Sequence, residues 1–308
     1  MSRREIVTPD GARLSVLVVA PQGSVRGIVQ IVHGMIEHIG RYEALAGELA
    51  AAGFAVVGHD QRGHGRTAAD EDRGHLADEH GWERLVEDTL LVGAAAREWF
   101  PDAPVILLGH SMGSLVARTL VLEHGESIDA LALSGTAADP GARGVAGSRL
   151  ARAVVWRHGS RHRSQRLQDL TFAGHNDAFA PTRTDVDWLS RDEAAVDAYE
   201  ADPLCGFTCT AGFFVDLMSG MPAIHDPQRL AGIRHDLPVY CFGGDADPVG
   251  AGGAAVRATA AAYRAAGLVD VTTRLYRGGR HEMFHETNRD EVVADLLDWL
   301  DRVATQRR

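Results

Sequence analysis

Short apolar runs alternate with longer amphipathic stretches along most of this chain, and this alternation limits the possible folds more than any other feature. Seven runs rich in β-branched residues predict strands, at 13–20, 27–33, 54–60, 104–110, 129–135, 237–244 and 269–276. Helical periodicity fills the intervals 39–52, 79–100, 112–124, 249–266 and 288–304. Strands that are apolar along nearly their whole length indicate a mostly parallel sheet with helices on both faces.

One long segment interrupts this alternation of strands and helices. From about Thr136 to Arg234 the chain contains Gly-rich loop and helical pattern but no convincing strand. Such a pattern is typical of helices inserted between two strands of a sheet. We therefore expect a core formed by residues 1–136 and 235–308, and a helical cap formed by residues 137–234. A length of 308 residues fits one large domain with an insertion of this kind.

Composition and charge exclude several classes of protein. With 45% hydrophobic residues, 24% charged residues and no low-complexity tract, the chain should form an ordinary globular protein. A formal net charge of −11 argues against a nucleic-acid partner, because phosphate binding depends on basic surface. The sequence contains no lysine, which excludes Schiff-base chemistry, lysine-anchored pyridoxal phosphate and a Walker A phosphate loop.

Targeting signals and cysteines limit the cellular context. No apolar signal-peptide core follows the basic residues near the N-terminus, and no apolar run approaches the length of a membrane span. We therefore expect a cytoplasmic protein. Cys205, Cys209 and Cys241 are too few for a disulfide framework, and the lone C-x3-C lacks the second pair of a structural zinc site. These cysteines are expected to be small buried side chains.

A predicted strand and a predicted helix meet at the segment Gly109-His110-Ser111-Met112-Gly113. The G-x-S-x-G pattern in this strand–turn–helix context is that of a nucleophile elbow. In such a turn the serine backbone is strained, and side chains at Gly109 or Gly113 would collide with neighbouring backbone. The hydroxyl of Ser111 then lies at the carboxyl edge of the sheet, beside the amide of Met112 at a helix N-terminus. A chance Gly-Ser-Gly turn is the alternative interpretation.

A serine hydroxyl needs a base to take its proton, and the base needs a carboxylate to orient it. The predicted strand 237–244 leads into Asp245 and Asp247, and the predicted strand 269–276 leads through two glycines to His281. Because parallel strands end at one edge of their sheet, we expect these side chains to lie near Ser111. Spacing alone does not choose between the two aspartates.

The segment HEMFH, residues 281–285, also matches the H-E-x-x-H pattern of zinc proteases. A zinc motif of this type lies within a helix, so that its two histidines share one face. Here two glycines precede the motif, and helix signals begin only at Thr287 or Asn288. Asn288 and Glu291 also stand where the extended metal motif has glycine and a third histidine. We therefore expect His281 to be a general base and expect no metal site.

Five motifs in one order give a more specific signal than any single motif. They are HGMIEHIGRY (33–42), GHDQRGHGRT (58–67), GHSMGS (109–114), GGDADPVG (243–250) and GGRHEMFHE (278–286). With these motifs the chain resembles the monoacylglycerol lipase and lysophospholipase group of serine α/β-hydrolases, among the S33-like serine aminopeptidases. The resemblance covers nearly the whole chain. It implies the α/β-hydrolase fold, a small lipid ester as substrate, and no metal or organic cofactor.

The resemblance also implies roles for individual residues. It makes Ser111 the nucleophile, Asp247 the acid and His281 the base. The oxyanion hole is implied to consist of two backbone amides, those of Met35 and Met112. Roles in supporting the oxyanion loop or contacting the polar head of a glyceride are implied for three further residues, Glu37, Arg41 and His110.

Two features of these motifs leave alternatives open. Glu37 and Arg41 either contact the head of a glyceride or form a salt bridge within their loop. Some relatives carry a second histidine three residues after the base, whereas this chain has Phe284 there and His285 one position later. The sequence therefore predicts His285 as a polar residue near the pocket rim and Glu282 as a loop carboxylate.

The predicted cap contains a strongly basic stretch. Between Pro140 and Gln168 there are seven arginines and no acidic residue, together with apolar residues that include Leu150 and Trp156. One interpretation is a basic amphipathic surface that makes peripheral contact with anionic lipid and admits an acyl chain. The other is a cap helix whose arginines are solvated or paired to the acidic body.

Other functions fit part of these observations. A triad of serine, aspartate and histidine also serves short-chain carboxylesterases, thioesterases, carbon–carbon hydrolases, perhydrolases and proline iminopeptidases. A non-catalytic binding protein is an alternative from another class, because a fold alone does not give a function. The motifs favour ester hydrolysis through an acyl-enzyme, with medium- to long-chain monoesters of glycerol as preferred substrates. They leave the oligomeric state open.

Overall fold

The computed structural model describes residues 1–306, which form one eight-stranded sheet with helices on both of its faces. The strands are β1 (Ser2–Val7), β2 (Arg13–Val19), β3 (Gly27–Val32), β4 (Phe54–His59), β5 (Val105–His110), β6 (Ala130–Ser134), β7 (Val239–Gly244) and β8 (Val271–Tyr276). Their order across the sheet is β1-β2-β4-β3-β5-β6-β7-β8. Strands β3 to β8 are parallel, whereas β2 is antiparallel to both β1 and β4.

Helices cover the two faces of this sheet. The α-helices of the described residues are α1 (Glu43–Ala51), α2 (Gly81–Trp99), α3 (Met112–His124), α4 (Gly141–His158), α5 (Gln165–Phe172), α6 (Glu193–Ala201), α7 (Ala211–Gly220), α8 (Pro227–Leu230), α9 (Ala254–Ala265) and α10 (Arg289–Gln306). Helices α1 and α10 pack on one face, and α2, α3 and α9 pack on the other. The prediction of a mostly parallel sheet with two helical layers is confirmed.

The central strands are apolar along nearly their whole length because helices cover both faces of the sheet. Strands β3, β4, β5, β6 and β7 are buried at every residue. Because each face of the sheet meets a helix, side chains that point to either face are removed from water, and a continuous apolar run such as VILLGH is stable here. A strand with one solvated face would instead alternate between apolar and polar residues.

Strand β1 differs from the predictions made from the sequence, which do not include it. Its sequence SRREIV is largely charged, and four of its six residues are exposed. A full antiparallel register with β2 holds it, from Ser2 opposite Val18 to Val7 opposite Arg13. An edge strand defined by hydrogen bonding rather than by core packing has no apolar run, so a search for such runs misses it.

Helices α4 to α8 all lie between β6 and β7, in the segment expected to form the cap. Helix α4 packs against α7, and α7 adds Phe213 and Leu217 to the hydrophobic cluster that also contains α2 and α3. The segment is therefore tied to the body through α7. The exact division at residues 137 and 234 stays a prediction.

Candidate active site

The turn between β5 and α3 has the geometry that the G-x-S-x-G pattern predicts. Ser111 has φ 51° and ψ −121°, in the left-handed region that side-chain-bearing residues avoid. A Cβ on Gly113 would lie 2.1 Å from the carbonyl oxygen of Val32, and a Cβ on Gly109 would lie 2.5 Å from that of Gly113. Both positions therefore require glycine, and the strained residue between them is the serine.

The loops after β7 and β8 bring one aspartate to one histidine. The imidazole Nδ1 of His281 donates to Oδ1 of Asp247 at 3.1 Å, and the same oxygen accepts the amide of Val249 at 2.9 Å. Both His281 and Asp247 are buried. Asp245 is exposed, and its Oδ1 accepts the amide of Gly278 at 2.6 Å. Of the two candidate carboxylates, only Asp247 contacts the histidine.

The pKa values of two imidazoles in the site are shifted in opposite directions. Burial alone would lower the pKa of His281, but the charge and the hydrogen bond of Asp247 outweigh burial and raise that pKa above its usual value. The ring of His110 lies 4.8 Å from that of His281, between centroids. Burial, followed by the charge of His281, lowers the pKa of His110 to about 4. The site thus stabilises a proton on His281 and not on His110, which suits His281 to act as a base.

A cavity of about 390 Å³ opens onto these side chains. Ser111, His110 and His281 line it. So do Met35 and Met112, whose amides are the expected oxyanion donors. Most of the remaining wall is apolar and comes from α3, from the loop after β7 and from the cap, including Leu115, Phe172, Trp188, Leu189, Leu217, Met218, Met221 and Val249.

The loop after β3 lies directly against the elbow. A Cβ on Gly34 would lie 2.7 Å from Oε1 of Glu37 and 3.2 Å from the Cβ of Ser111, so any side chain there would force its neighbours to shift. Glu37 folds back and accepts the amide of Gly34 through Oε1. From the cap, the hydroxyl of Tyr199 donates to the carbonyl oxygen of Ile36 at 3.2 Å, and the amide of Gly206 donates to the same oxygen at 3.0 Å. Core and cap together fix the peptide next to Met35.

Glu37, Arg41 and Glu282 form a buried ion cluster at the cavity. Arg41 donates through Nη1 to Glu37 at 3.0 Å, and through Nη1 and Nη2 to the two oxygens of Glu282 at 2.5 and 2.7 Å. The loop salt bridge considered for Glu37 and Arg41 is therefore present. Glu282 differs from the expectation of a simple loop carboxylate, because it lines the cavity together with Glu37.

His285 and Phe284 pack away from the cavity. Phe284 is buried against Tyr42 and Phe242. The ring of His285 lies 6.1 Å from that of Tyr42, and its Nε2 is buried without a hydrogen-bond partner. His285 is not among the residues that line the cavity, so its expected place at the pocket rim differs from what the structure shows.

The HEMFH segment does not have the geometry of a helical zinc motif. Met283–His285 form a short 3-10 helix, and α10 begins only at Arg289. His281 instead engages Asp247 through Nδ1. Within residues 1–306, the one group of three or more potential ligand side chains whose donor atoms lie within 4.8 Å of one another is His38, Asp202 and Cys205.

A cap segment holds the loop that carries His281, and the sequence analysis missed this contact. The amide of Glu282 donates to the carbonyl of Leu189 at 2.8 Å, and Arg191 donates through Nε to the buried carboxylate of Glu286 at 2.9 Å. The ring of Trp188 lies 5.2 Å from that of His281. Backbone pairing between distant loops leaves no periodic pattern in either segment, so no local signal was available to predict it.

Comparison with known protein families identifies the family of this chain. The family model described as "Serine aminopeptidase, S33" matches residues 23–288. The chain belongs to this family. The match includes the elbow, both aspartates and the HEMFH segment, so the S33 family covers every part of the candidate site.

Individual proteins are similar to this S33 family member over nearly its whole length. It is 32% identical to the monoacylglycerol lipase of Mycolicibacterium smegmatis, over 94% of this chain and 93% of that protein. It is 27% identical to the monoglyceride lipase of Homo sapiens, over 98% and 90%. A crystal structure of a thermostable carboxyl esterase from Bacillus coagulans in complex with glycerol matches with a TM-score of 0.92, 27% identity and 98% coverage of both chains. The chain has the α/β-hydrolase fold.

Proposed function

We propose that this S33 family member is a monoacylglycerol lipase that works through an acyl-enzyme on Ser111. The chain is a hydrolase of carboxylic esters of lipids, as its relatives named monoacylglycerol lipase and monoglyceride lipase indicate. The observation that carries the proposal is a cavity lined by Ser111, by the Asp247-bound His281 and by a largely apolar wall. Such a cavity combines a nucleophile with room for an acyl chain.

In the proposed mechanism each residue has one role. His281 takes the proton of Ser111 as the hydroxyl oxygen attacks the ester carbonyl, and Asp247 stabilises the resulting imidazolium. The amides of Met35 and Met112 hold the negative charge of the tetrahedral intermediate. His281 then gives its proton to the leaving alcohol, and water repeats the cycle to release the acid. The chemistry needs no metal and no organic cofactor.

Glu37, Arg41 and His110 are proposed to act around this centre. Glu37 braces the oxyanion loop by accepting the amide of Gly34, and Arg41 holds Glu37 in place. Glu37 and His110 also line the cavity next to Ser111, where they can contact the alcohol part of the substrate. Arg41 is not a lining residue, so we assign it support of the cluster rather than direct contact.

The cavity wall favours this function over its alternatives. A short-chain carboxylesterase or a thioesterase would use the same three side chains, but an acetyl group would fill only a small part of a cavity of about 390 Å³ and leave most of its apolar wall without contact. A non-catalytic binding protein would not need the strained backbone of Ser111, whose cost is on the order of 1–3 kcal/mol. Backbone strain of this kind is typical of residues that take part in catalysis.

A chain-length panel tests the proposed function. For glycerol monoesters from acetyl to palmitoyl, kcat/KM should rise by roughly fourfold per added methylene while the chain fills the apolar wall, because each buried CH₂ contributes about 0.8 kcal/mol. The rise should level off once the cavity is full. Kinetics on dispersed substrates at fixed detergent ratio would measure it, and amino-acid amides serve as the peptidase control. A preference for acetyl esters or for the amides would contradict the proposal.

We also propose that the cap makes peripheral contact with anionic lipid. Val145, Arg149, Arg152 and Trp156 are spaced to share one face of α4, and all four are exposed, Trp156 at 87%. In the described chain Arg149 and Arg152 have no ion-pair partner, whereas Arg161 is paired with Asp72 and Asp78. An exposed tryptophan beside unpaired arginines is typical of an interfacial helix. Pairing with acidic residues of the body, one of the two expectations for the basic stretch, describes Arg161. Contact with anionic lipid is what we propose for α4.

Replacing Trp156 should weaken binding to lipid vesicles. The Trp156→Ala variant is expected to bind phosphatidylglycerol vesicles on the order of tenfold more weakly, because it loses the largest apolar side chain on this face. Co-sedimentation with the vesicles measures the change. Val269→Ala is the matched control, since Val269 is an exposed apolar residue, 83% accessible, outside the cap. Equal binding by both variants would place the lipid contact elsewhere.

No helix within residues 1–306 has both the length and the apolar character required to cross a bilayer. The cytoplasmic location expected from the sequence stays a prediction.

A further inference from the structure

The loop after β3 contains a backbone conformation that its residue disfavours. Ile36 has φ 53°, in the left-handed region. Within residues 1–306, five residues other than glycine have a positive φ, and Ile36 is the β-branched one among them. A β-branched residue is strained there, because its Cβ approaches the neighbouring carbonyl oxygen too closely. Contacts with other parts of the protein must therefore hold Ile36 in this conformation.

Two donors from the cap hold the strained residue. The carbonyl oxygen of Ile36 accepts the hydroxyl of Tyr199 at 3.2 Å and the amide of Gly206 at 3.0 Å. Tyr199 is buried, and the guanidinium of Arg41 lies 5.0 Å from the centroid of its ring. Burial raises the pKa of Tyr199, so its hydroxyl keeps the proton and stays a donor. Of these two donors, the hydroxyl can be removed by a substitution that preserves the ring.

The strained residue adjoins Met35, whose amide is a proposed oxyanion donor. On the other side of Met35, the amide of Gly34 donates to Oε1 of Glu37. Met35 therefore lies between two anchored groups, the Gly34 amide and the Ile36 carbonyl. Loss of the second anchor would let Ile36 relax to a negative φ and would turn the Met35 amide from its position. An oxyanion hole depends on donors that are held in place before the reaction begins.

The helix that carries Tyr199 is itself anchored to the loop of the base. This helix is α6, whose N-terminus is capped by the carboxylate of Asp192. A few residues before the cap, the carbonyl of Leu189 accepts the amide of Glu282, next to the base. One short helix thus connects the contact that holds the base loop to the contact that holds Ile36.

From this geometry we propose that Tyr199 is a positioning residue, whose hydroxyl keeps Ile36 in its strained conformation and thereby keeps the amide of Met35 directed at the oxyanion. Tyr199 acts through Ile36 and not on the reacting atoms. The inference rests on the proposed mechanism at Ser111 and adds a residue of the cap to it. It implies that the oxyanion hole is complete only while this part of the cap packs on the core.

The Tyr199→Phe variant tests the inference, because it removes the hydroxyl and keeps the ring. With 4-nitrophenyl octanoate, kcat should fall by about tenfold, less than for loss of a whole oxyanion donor, because the Gly206 amide still holds the carbonyl. KM should stay nearly unchanged, since acylation and deacylation both pass through an oxyanion and slow down together.

An inhibitor that resembles the tetrahedral intermediate gives a second readout. In octyl trifluoromethyl ketone, the carbonyl carbon takes up the Ser111 oxygen, the serine proton passes to His281, and the carbonyl oxygen becomes an oxyanion. Its inhibition constant should rise in Tyr199→Phe by about the same factor as kcat falls. A loss of active protein cannot change an inhibition constant, so this readout separates positioning from stability.

A second substitution tests whether the hydroxyl acts through Ile36. Glycine adopts a positive φ without strain, so the loop of Ile36→Gly should depend less on the donor from the cap. In that background, Tyr199→Phe should lower kcat by at most about threefold, which makes the two substitutions non-additive. Both proteins in this comparison lack the Ile36 side chain, so its effect on the cavity cancels.

Tyr240→Phe is the matched control. The hydroxyl of Tyr240 lies 3.1 Å from that of Tyr276, and Tyr240 is buried but does not line the catalytic cavity. Its replacement removes a buried tyrosine hydroxyl with one hydrogen-bond partner, as Tyr199→Phe does. Both kcat and the inhibition constant should stay at their wild-type values.

The outcomes separate this inference from the proposed function. If Tyr199→Phe keeps the wild-type kcat and inhibition constant, the inference is wrong and the monoacylglycerol lipase assignment stands. A loss that is equally large in the Ile36→Gly background would also overturn the inference, since the hydroxyl would then act by another route. If the wild-type protein neither hydrolyses the ester nor binds the ketone, the proposed function itself fails.

Discussion

Replacement of Ser111 by alanine is expected to abolish ester hydrolysis, with a loss in kcat on the order of 10⁶-fold. In the proposed mechanism the Ser111 hydroxyl supplies the attacking oxygen, from the strained turn between β5 and α3. With 4-nitrophenyl octanoate, the rapid release of nitrophenol that accompanies acylation should disappear. Covalent labelling by a fluorophosphonate should disappear with it.

A second serine provides the control for this variant. Ser219 lies at the exposed end of α7, where its hydroxyl donates to the carbonyl of Asp216 at 2.6 Å. Ser219→Ala should keep both the burst and the labelling. Persistence of either signal in Ser111→Ala would show that another nucleophile carries the reaction, and the proposed mechanism would be wrong.

Asp247→Asn should lower kcat by about 10⁴-fold while leaving the fold intact. The carboxylate of Asp247 accepts the Nδ1 hydrogen of His281 and keeps Nε2 free for the serine proton. An amide of the same shape removes the charge that stabilises the imidazolium and permits the wrong tautomer. Steady-state hydrolysis of a soluble octanoyl ester measures the loss, and circular dichroism checks the fold.

The neighbouring aspartate is the matched control for this substitution. Asp245 is exposed and accepts the amide of Gly278, with no contact to His281. Asp245→Asn should therefore keep activity within a few-fold of the wild-type value, because it changes a loop contact at the surface. A loss as large as that of Asp247→Asn would assign the acid to Asp245 instead.

The parts of this site that follow local rules could be predicted from the sequence. The elbow requires glycine on both sides of Ser111, and the short distances at Gly109 and Gly113 show why. The central strands could be predicted because two helical layers demand continuous apolar runs. Each of these features is encoded within ten or so adjacent residues, and their order places Asp247 and His281 at one edge.

The remaining features depend on contacts between distant segments. The place of Glu282 in the cavity wall follows from its pairing with Arg41, which is 241 positions away in the chain. The choice of Asp247 over Asp245 came from the family resemblance and not from spacing. Both aspartates follow strand β7, only two positions apart, and they give the same local signal. Strand β1 was missed because hydrogen bonding to β2, and not an apolar run, defines it.

The hydrogen bond between the Glu282 amide and the Leu189 carbonyl restricts how the cap can move. Arg191 and Glu286 reinforce the same junction, so a rigid-body movement of the whole cap away from the core would displace the loop that carries His281. Helix α4 also lines the cavity, through Arg143, but of its own residues it buries only Ala151. A cap movement that preserves the position of His281 must therefore leave residues 188–191 in place.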